Sequence, residues 1–181
     1  MYKFTHDFFN DRGKVWSSLQ LPTNLNCLEV GCYEGRSTIW ILENLVGDHG
    51  KLDIVDELHY SYVDNLYHNV KQWEDKITYY KGDALETIGK LPHEEQYDFI
   101  YLDAAKSAAD NAGALFLLER LLKMDGILVV DDYFFELDDD SKKWPMLGIN
   151  SFASCSQLCK LFQIEHGQAF FKKIQSRAIY K

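Results

Sequence analysis

LEVGCYEGRS, residues 28–37, reads as a short buried strand breaking into a glycine-bearing turn, and TIWILENL, residues 38–45, continues it as an apolar-striped helix. A glycine-rich strand-to-helix turn is a cradle for a nucleotide-like ligand. The dinucleotide fingerprint G-x-G-x-x-G would need glycine two places before Gly31, where this chain has Glu29. The pattern is E-x-G-x-x-x-G, and a carboxylate at that point repels a pyrophosphate. The turn therefore suits a ligand without phosphates.

Outward from that stretch, strand and helix signals alternate. NCLEV (26–30), KLDIVD (51–56), ITYYKGD (77–83), YDFIYLD (97–103) and GILVVDD (126–132) are predicted strands, the last introduced by a turn at KMDG. Helices are expected over 36–46, over 60–73, over 84–91, and where Ala108, Ala112, Leu115, Leu118 and Leu122 recur every three or four positions. Strands that are apolar throughout, rather than alternating, imply a parallel sheet covered on both faces. LCKLFQIEHGQAFFKKI (158–174) reads as two strands joined around Gly167. The expected fold is α/β: a three-layer sandwich with a Rossmann-like, mostly parallel seven-stranded sheet and a C-terminal antiparallel hairpin. The expected domain is single, 1–181, with residues 1–25 as an N-terminal helical segment.

Bulk properties narrow the function. A formal net charge of -9 over 181 residues, with 46% hydrophobic and 26% charged residues, describes a soluble globular chain that repels nucleic acid and anionic membrane. No apolar run reaches the roughly 20 residues of a membrane span. MYKFTHDFFNDRGK shows no secretory apolar region, so a reduced cytoplasmic setting is expected. Cys155 and Cys159, four apart, would share a helix face; buried thiols are the preferred reading of all four cysteines over a metal site. The histidines (6, 49, 59, 68, 93, 166) have no metal-binding spacing, and His59 reads as a loop residue or an edge for adenine. The acidic run 136–140 reads as a solvated loop, with a lid as the alternative. Trp144 and Met146 are either an apolar wall for a substrate or core.

In open α/β sheets ligands bind beyond the carboxyl ends of the strands. Acidic residues stand at every exit: Glu29, Asp56 and Glu57, Asp83, Asp103, and Asp131 with Asp132. They form two clusters. In the first, Gly31 and Gly35 permit a tight turn and close approach. Asp56 can accept both hydroxyls of a ribose, and Asp83 an exocyclic purine amine. Glu29 suits a cationic amino-acid group or holds the turn. An adenosine, an ammonium and no phosphate describe S-adenosylmethionine (SAM).

These residues carry a resemblance. LEVGCYEGRS resembles motif I of the SAM-dependent methyltransferases, closely the catechol O-methyltransferase form L-E-x-G-x-Y-x-G-x-S, and also the short macrocin-type enzymes of methyltransferase family 24. Asp56, GDA at 82–84 and YDFIYLDAAK follow in the matching order. The resemblance implies that Glu29, Gly31, Tyr33 and Ser37 line the methionine end of SAM, with Asp56 at the ribose and Asp83 near adenine. Ser37 has an alternative role in supporting the first helical turn.

In the second cluster, Asp103, Asp131 and Asp132 converge from neighbouring strand ends and would repel one another without a cation. Oxygen-only ligands favour Mg²⁺ or another hard divalent ion, which would lower the pKa of an acceptor hydroxyl. The constellation is similar to the metal site of the catechol and macrocin types, and VVDDY (129–133) resembles the macrocin form. Lys106 falls where catechol-type enzymes place the proton-taking lysine, while Ala105 stands where the macrocin type has an aspartate base. The bland alternatives are a surface lysine at 106 and solvated loop aspartates at 131 and 132. The leading expectation is Mg²⁺-dependent O-methylation of a small hydroxylated acceptor, a sugar hydroxyl or vicinal diol. The alternatives are metal-independent N- or O-methylation of a peptide or nucleic acid, and a non-catalytic SAM-binding subunit. Catechol-type enzymes cover the acceptor with a longer helical segment than the roughly 25 residues before strand one here. An open site, or one completed by a homodimer partner, is expected.

Overall fold

The computed structural model describes residues 1–92, 94–136 and 139–176. His93 and two residues of the acidic run, Leu137 and Asp138, lie outside the described residues. Helix α1 (Arg12–Ser18) precedes β1 (Asn26–Val30), and α2 (Arg36–Ile41) follows it. Then come β2 (Lys51–Asp56), α3 (Val63–Val70), β3 (Ile77–Lys81), α4 (Ala84–Lys90), β4 (Tyr97–Leu102) and α5 (Ala108–Leu118). The chain continues with β5 (Leu122–Val130), α6 (Pro145–Cys155), β6 (Cys159–Glu165) and β7 (Gln168–Lys173). Among the described residues no helix is long and apolar enough to cross a membrane.

The seven strands lie in the order β3-β2-β1-β4-β5-β7-β6. The first five pair in parallel; β7 joins β5 antiparallel and pairs with β6 as the expected hairpin around Gly167. Strand order reverses between β1 and β4, so their carboxyl ends open a crevice. Alternate strand residues feed two cores. Leu28, Val30, Ile100, Leu102, Leu128 and Val130 pack under α4, α5 and α6. Cys27, Leu52, Ile54, Phe99, Tyr101 and Val129 pack under α1, α2 and α3. Each such fully buried side chain contributes about 1.5–3 kcal/mol.

Three local expectations change. The spacing through Leu122 suggested a longer fifth helix, but the helix stops at Leu118 and Leu122 already pairs with Tyr97 in β5. The KMDG stretch is not a turn before the strand. It is an irregularity within it, with Asp125 at φ 65 and a register shift between Tyr97 and Phe99. Cys155 ends α6 and is exposed while Cys159 opens β6 and is buried, so the two do not share a helix face. The helix expected over 36–46 holds its span, but its second half is a π-helical turn, Leu42–Val46.

Candidate active site

The turn after β1 is built by two glycines. Gly31 sits at φ 87, and a Cβ there would lie 2.9 Å from the Asp103 carbonyl carbon and the Ala104 nitrogen. The first turn thus packs directly on the exit of β4. Gly35, at φ 85, precedes α2, and a side chain there would strike Leu66 of α3 at 2.9 Å. Gly31, Tyr33 and Ser37 line the cleft above, whereas Gly35 shapes the helix entry from behind it.

Glu29 is fully buried at the end of β1. Ser37 Oγ donates to its Oε1 at 2.5 Å and Thr38 Oγ1 to its Oε2 at 2.6 Å. Burial outweighs these bonds and pushes its carboxyl up to about 8. Of the two roles open to Glu29, its contacts are those of the group that holds the turn, and the Ser37 hydroxyl supports the same helical turn.

Beyond β2, Asp56 lines the cleft and is at the same time bonded to the protein. Its Oδ2 accepts from the Cys32 amide at 2.9 Å. Its Oδ1 accepts from the Leu58 amide at 2.7 Å and the Tyr62 hydroxyl at 2.6 Å. Glu57 beside it is exposed and lines the cleft. Asp83 caps α4, accepting from the Glu86 amide at 2.9 Å, and also lines the cleft. His59 is exposed and pairs with Ser61.

At the exits of β4 and β5 the expected acidic cluster assembles, with partners the sequence did not announce. Lys106 Nζ bonds Asp103 Oδ1 at 2.7 Å and also Asp132 Oδ2. Asp131 is buried and turns inward. Arg12, the first residue of α1, pairs with it: Nη2 donates to Oδ1 at 2.8 Å, and Nε stands 2.7 Å from Oδ2 as an ion-pair contact. Tyr101 donates its one hydroxyl proton to Asp131 Oδ2 at 2.5 Å, with Asp103 Oδ2 3.1 Å from the same oxygen; Gln168 adds a bond to Asp131 Oδ2 at 3.2 Å. Burial pushes Asp103 up to about 6, against the pull of Lys106. For Lys106 itself burial lowers the pKa, but Asp103 and Asp132 together outweigh it and the ammonium is held more firmly than usual.

The two clusters share one cleft of about 620 Å³, bounded by the turn after β1, Glu57, Asp83, Lys106 and Asp132. Its cover is the chain's own N-terminal segment, which contributes Phe4, Phe8, Phe9 and Arg12; Phe135 stands opposite. That segment is tied down by Glu34, which accepts from the Thr5 amide at 2.6 Å and the Thr5 hydroxyl at 3.0 Å. Asn69 exchanges bonds with the Lys3 backbone at 2.6 and 2.7 Å. To the expectation of an open site, or one completed by a second subunit, the structure adds aromatic residues of the chain's own N-terminal segment along the cleft. Met146 packs against the core under α5 and α6, and neither it nor Trp144 lines the cleft.

Residues 28–133, more than half of the chain, match the family described as a methyltransferase domain. The chain belongs to that family, the class I SAM-dependent methyltransferases. Solved structures share its fold. An O-methyltransferase from Bacillus cereus in complex with SAH aligns with a TM-score of 0.76 at 20% identity, over 95% of this chain and 84% of that one. The O-methyltransferase TomG from Streptomyces achromogenes, in complex with SAM, aligns at 0.75 and 18% identity, over 91% and 80%.

For SAM, the methyltransferase presents what a phosphate-free cation needs: a glycine turn too close-packed for a side chain, and acidic groups along the cleft. For a divalent ion the fit is poor. The expected ligands Asp103, Asp131 and Asp132 already answer to Lys106 and Arg12. Asp131 also accepts from Tyr101, Gln168 and the Asp132 amide, so its lone pairs are taken. Among the described residues no group of three or more His, Cys, Asp or Glu side chains is arranged to hold a metal. Arg12, Tyr101 and Gln168 were missed because each lies far along the sequence from its partner; Arg12 and Asp131 are 119 positions apart.

Proposed function

We propose that this methyltransferase methylates an oxygen of a small hydroxylated acceptor at the corner formed by Asp103, Lys106 and Asp132. The observation that carries the reading is the continuity of the cleft, which runs from the turn after β1 to that corner under an aromatic cover. Gly31, Tyr33 and Ser37 would hold the methionine end of SAM, Glu57 the ribose and Asp83 the adenine edge, while Asp56 and Glu29 keep the two turns in shape. When bound, SAM supplies an electrophilic methyl on its sulfonium.

The chain's tasks are then to align the acceptor, deprotonate it and keep water out. Lys106, held by two carboxylates, is a poor base; its ammonium instead faces and stabilises negative charge on the acceptor oxygen. Asp103, beside it with a raised pKa, takes the acceptor's proton at its Oδ1. Phe8, Phe9 and Phe135 line the same cleft and give the acceptor an apolar wall. The Mg²⁺ expected from the resemblance has no part in this reading, for the reason given by Asp131.

The test is a panel of sugars, diols, phenols, peptides and RNA incubated with labelled SAM, with products read by mass spectrometry and NMR. An O-methylated small molecule is expected. Methyl found on nitrogen, on peptide or on RNA contradicts the reading, as does SAM binding without transfer to any acceptor.

A further inference from the structure

In this fold the three acidic side chains at the exits of β4 and β5 require a counter-charge. Lys106 satisfies Asp103 and Asp132, and what satisfies Asp131 is more unusual. Arg12 Nη2 donates to Asp131 Oδ1 at 2.8 Å, Nε lies 2.7 Å from Oδ2 as an ion-pair contact, and Nη1 donates to the Phe8 carbonyl at 2.6 Å. A charge-assisted hydrogen bond of this kind is roughly twice as strong as a neutral one. Arg12 is 19% exposed and Asp131 3%, so the pair is sheltered from solvent.

Arg12 is also locked from a second direction. Trp16 lies one turn further along the same face of α1. Trp16 is buried against Phe9, Phe99 and Tyr101, and its Nε1 donates to Gln168 Oε1 at 2.8 Å. Gln168 donates in turn to Asp131. Helix α1 is thus bonded to the same carboxylate at two points, directly through Arg12 and through Trp16 and Gln168. A carboxylate offers about four lone-pair positions, and Asp131 receives four hydrogen bonds, from Arg12 Nη2, Tyr101, Gln168 and the Asp132 amide.

We propose that Arg12 is a positioning residue that stands in for a divalent ion, fixing Asp131 and neutralising the acidic corner so that the acceptor site is organised without metal. The proposal rests on the reading of that corner as the acceptor site, and it concerns ion binding rather than turnover. Its test is a titration of the whole chain, loaded with SAH, with Mn²⁺ followed by electron paramagnetic resonance, and with Mg²⁺ followed by calorimetry. Wild type is expected to bind either ion no better than millimolar, with a melting temperature equal in Mg²⁺ and in EDTA. Arg12→Gln, which keeps the chain length and removes the charge, is expected to bind Mn²⁺ about tenfold or more tightly than wild type. Asp131→Asn in that background should remove the gain.

Micromolar ion binding by wild type that Asp131→Asn abolishes would overturn the proposal, and this comparison needs no Arg12 variant to fold. Equally weak binding by wild type and by a folded Arg12→Gln protein would also overturn it, because Arg12 would then not be what excludes the ion. SAH calorimetry on the same samples separates the two readings. Loss of SAH binding in wild type would sink the proposed function, whereas intact SAH binding with tight metal binding would sink only this inference.

Discussion

The two halves of the cleft handle buried carboxylates in opposite ways. In the cofactor half, Glu29 and Asp56 are satisfied by neutral donors close in sequence or on the neighbouring turn: Ser37, Thr38, Leu58, Tyr62 and the Cys32 amide. In the acceptor half, Asp103, Asp131 and Asp132 are satisfied by two cations, one of them from an N-terminal helix on the far side of the sequence. Burial leaves the Glu29 carboxyl costly to ionise despite its two donors, which raises its pKa and makes it a structural prop. Cationic partners keep charge at the surface of the cleft, where an acceptor oxygen can use it. Under the proposed function, shape falls to one half and chemistry to the other.

The largest expected effect on the shape-giving half comes from Gly31→Ala. The left-handed φ and the 2.9 Å approach to the β4 exit leave no room for the methyl. Destabilisation of about 3–5 kcal/mol is expected in denaturant unfolding, together with loss of SAH binding. A stable protein that still binds SAH would break the assignment.

Glu29→Gln sharpens the contrast through pH. A carboxyl raised from 4.5 to about 8 in the folded state contributes stability that is complete below 4.5 and is lost as pH rises through 8. The variant does not titrate there. Wild type should therefore lose stability relative to the variant between pH 4.5 and 8, on the order of 3 kcal/mol across that window. A difference independent of pH, measured by urea unfolding at several pH values, would show that Glu29 is charged and that both halves carry ionised acids.

Glu57→Gln should act least, weakening SAH about tenfold, or about 1.4 kcal/mol, with the fold unchanged. If calorimetry shows no change in SAH affinity, the ribose partner is elsewhere, and Asp56 would have to release Cys32 and Leu58 to serve.

How much of this was legible in the sequence follows the same division. The turn after β1, the five parallel strands and the C-terminal hairpin rest on runs of apolar residues and local glycine chemistry, which a single pass along the chain reveals. Leu122 was drawn into a helix because its spacing fits the 3.6-residue period, whereas pairing with Tyr97 decides its state. The acidic residues at 103, 131 and 132 were visible as strand-end aspartates. Their partners were not, since nothing in DRGKVW announces that its arginine reaches Asp131 or its tryptophan Gln168. The aromatic cover was hidden for the same reason: Phe8 and Phe9 carry no periodic signal, and long-range contacts such as those of Glu34, Asn69 and Arg36 place their segment over the cleft.

Chemistry that resides at the Asp103 corner can be removed without touching the cofactor half. The most direct measurement compares wild type with Asp103→Asn, reading SAH affinity by calorimetry and methyl transfer from labelled SAM in EDTA. Unchanged SAH affinity is expected, with a rate reduced about 10²–10⁴-fold. Transfer that persists at the wild-type rate in the variant would contradict it.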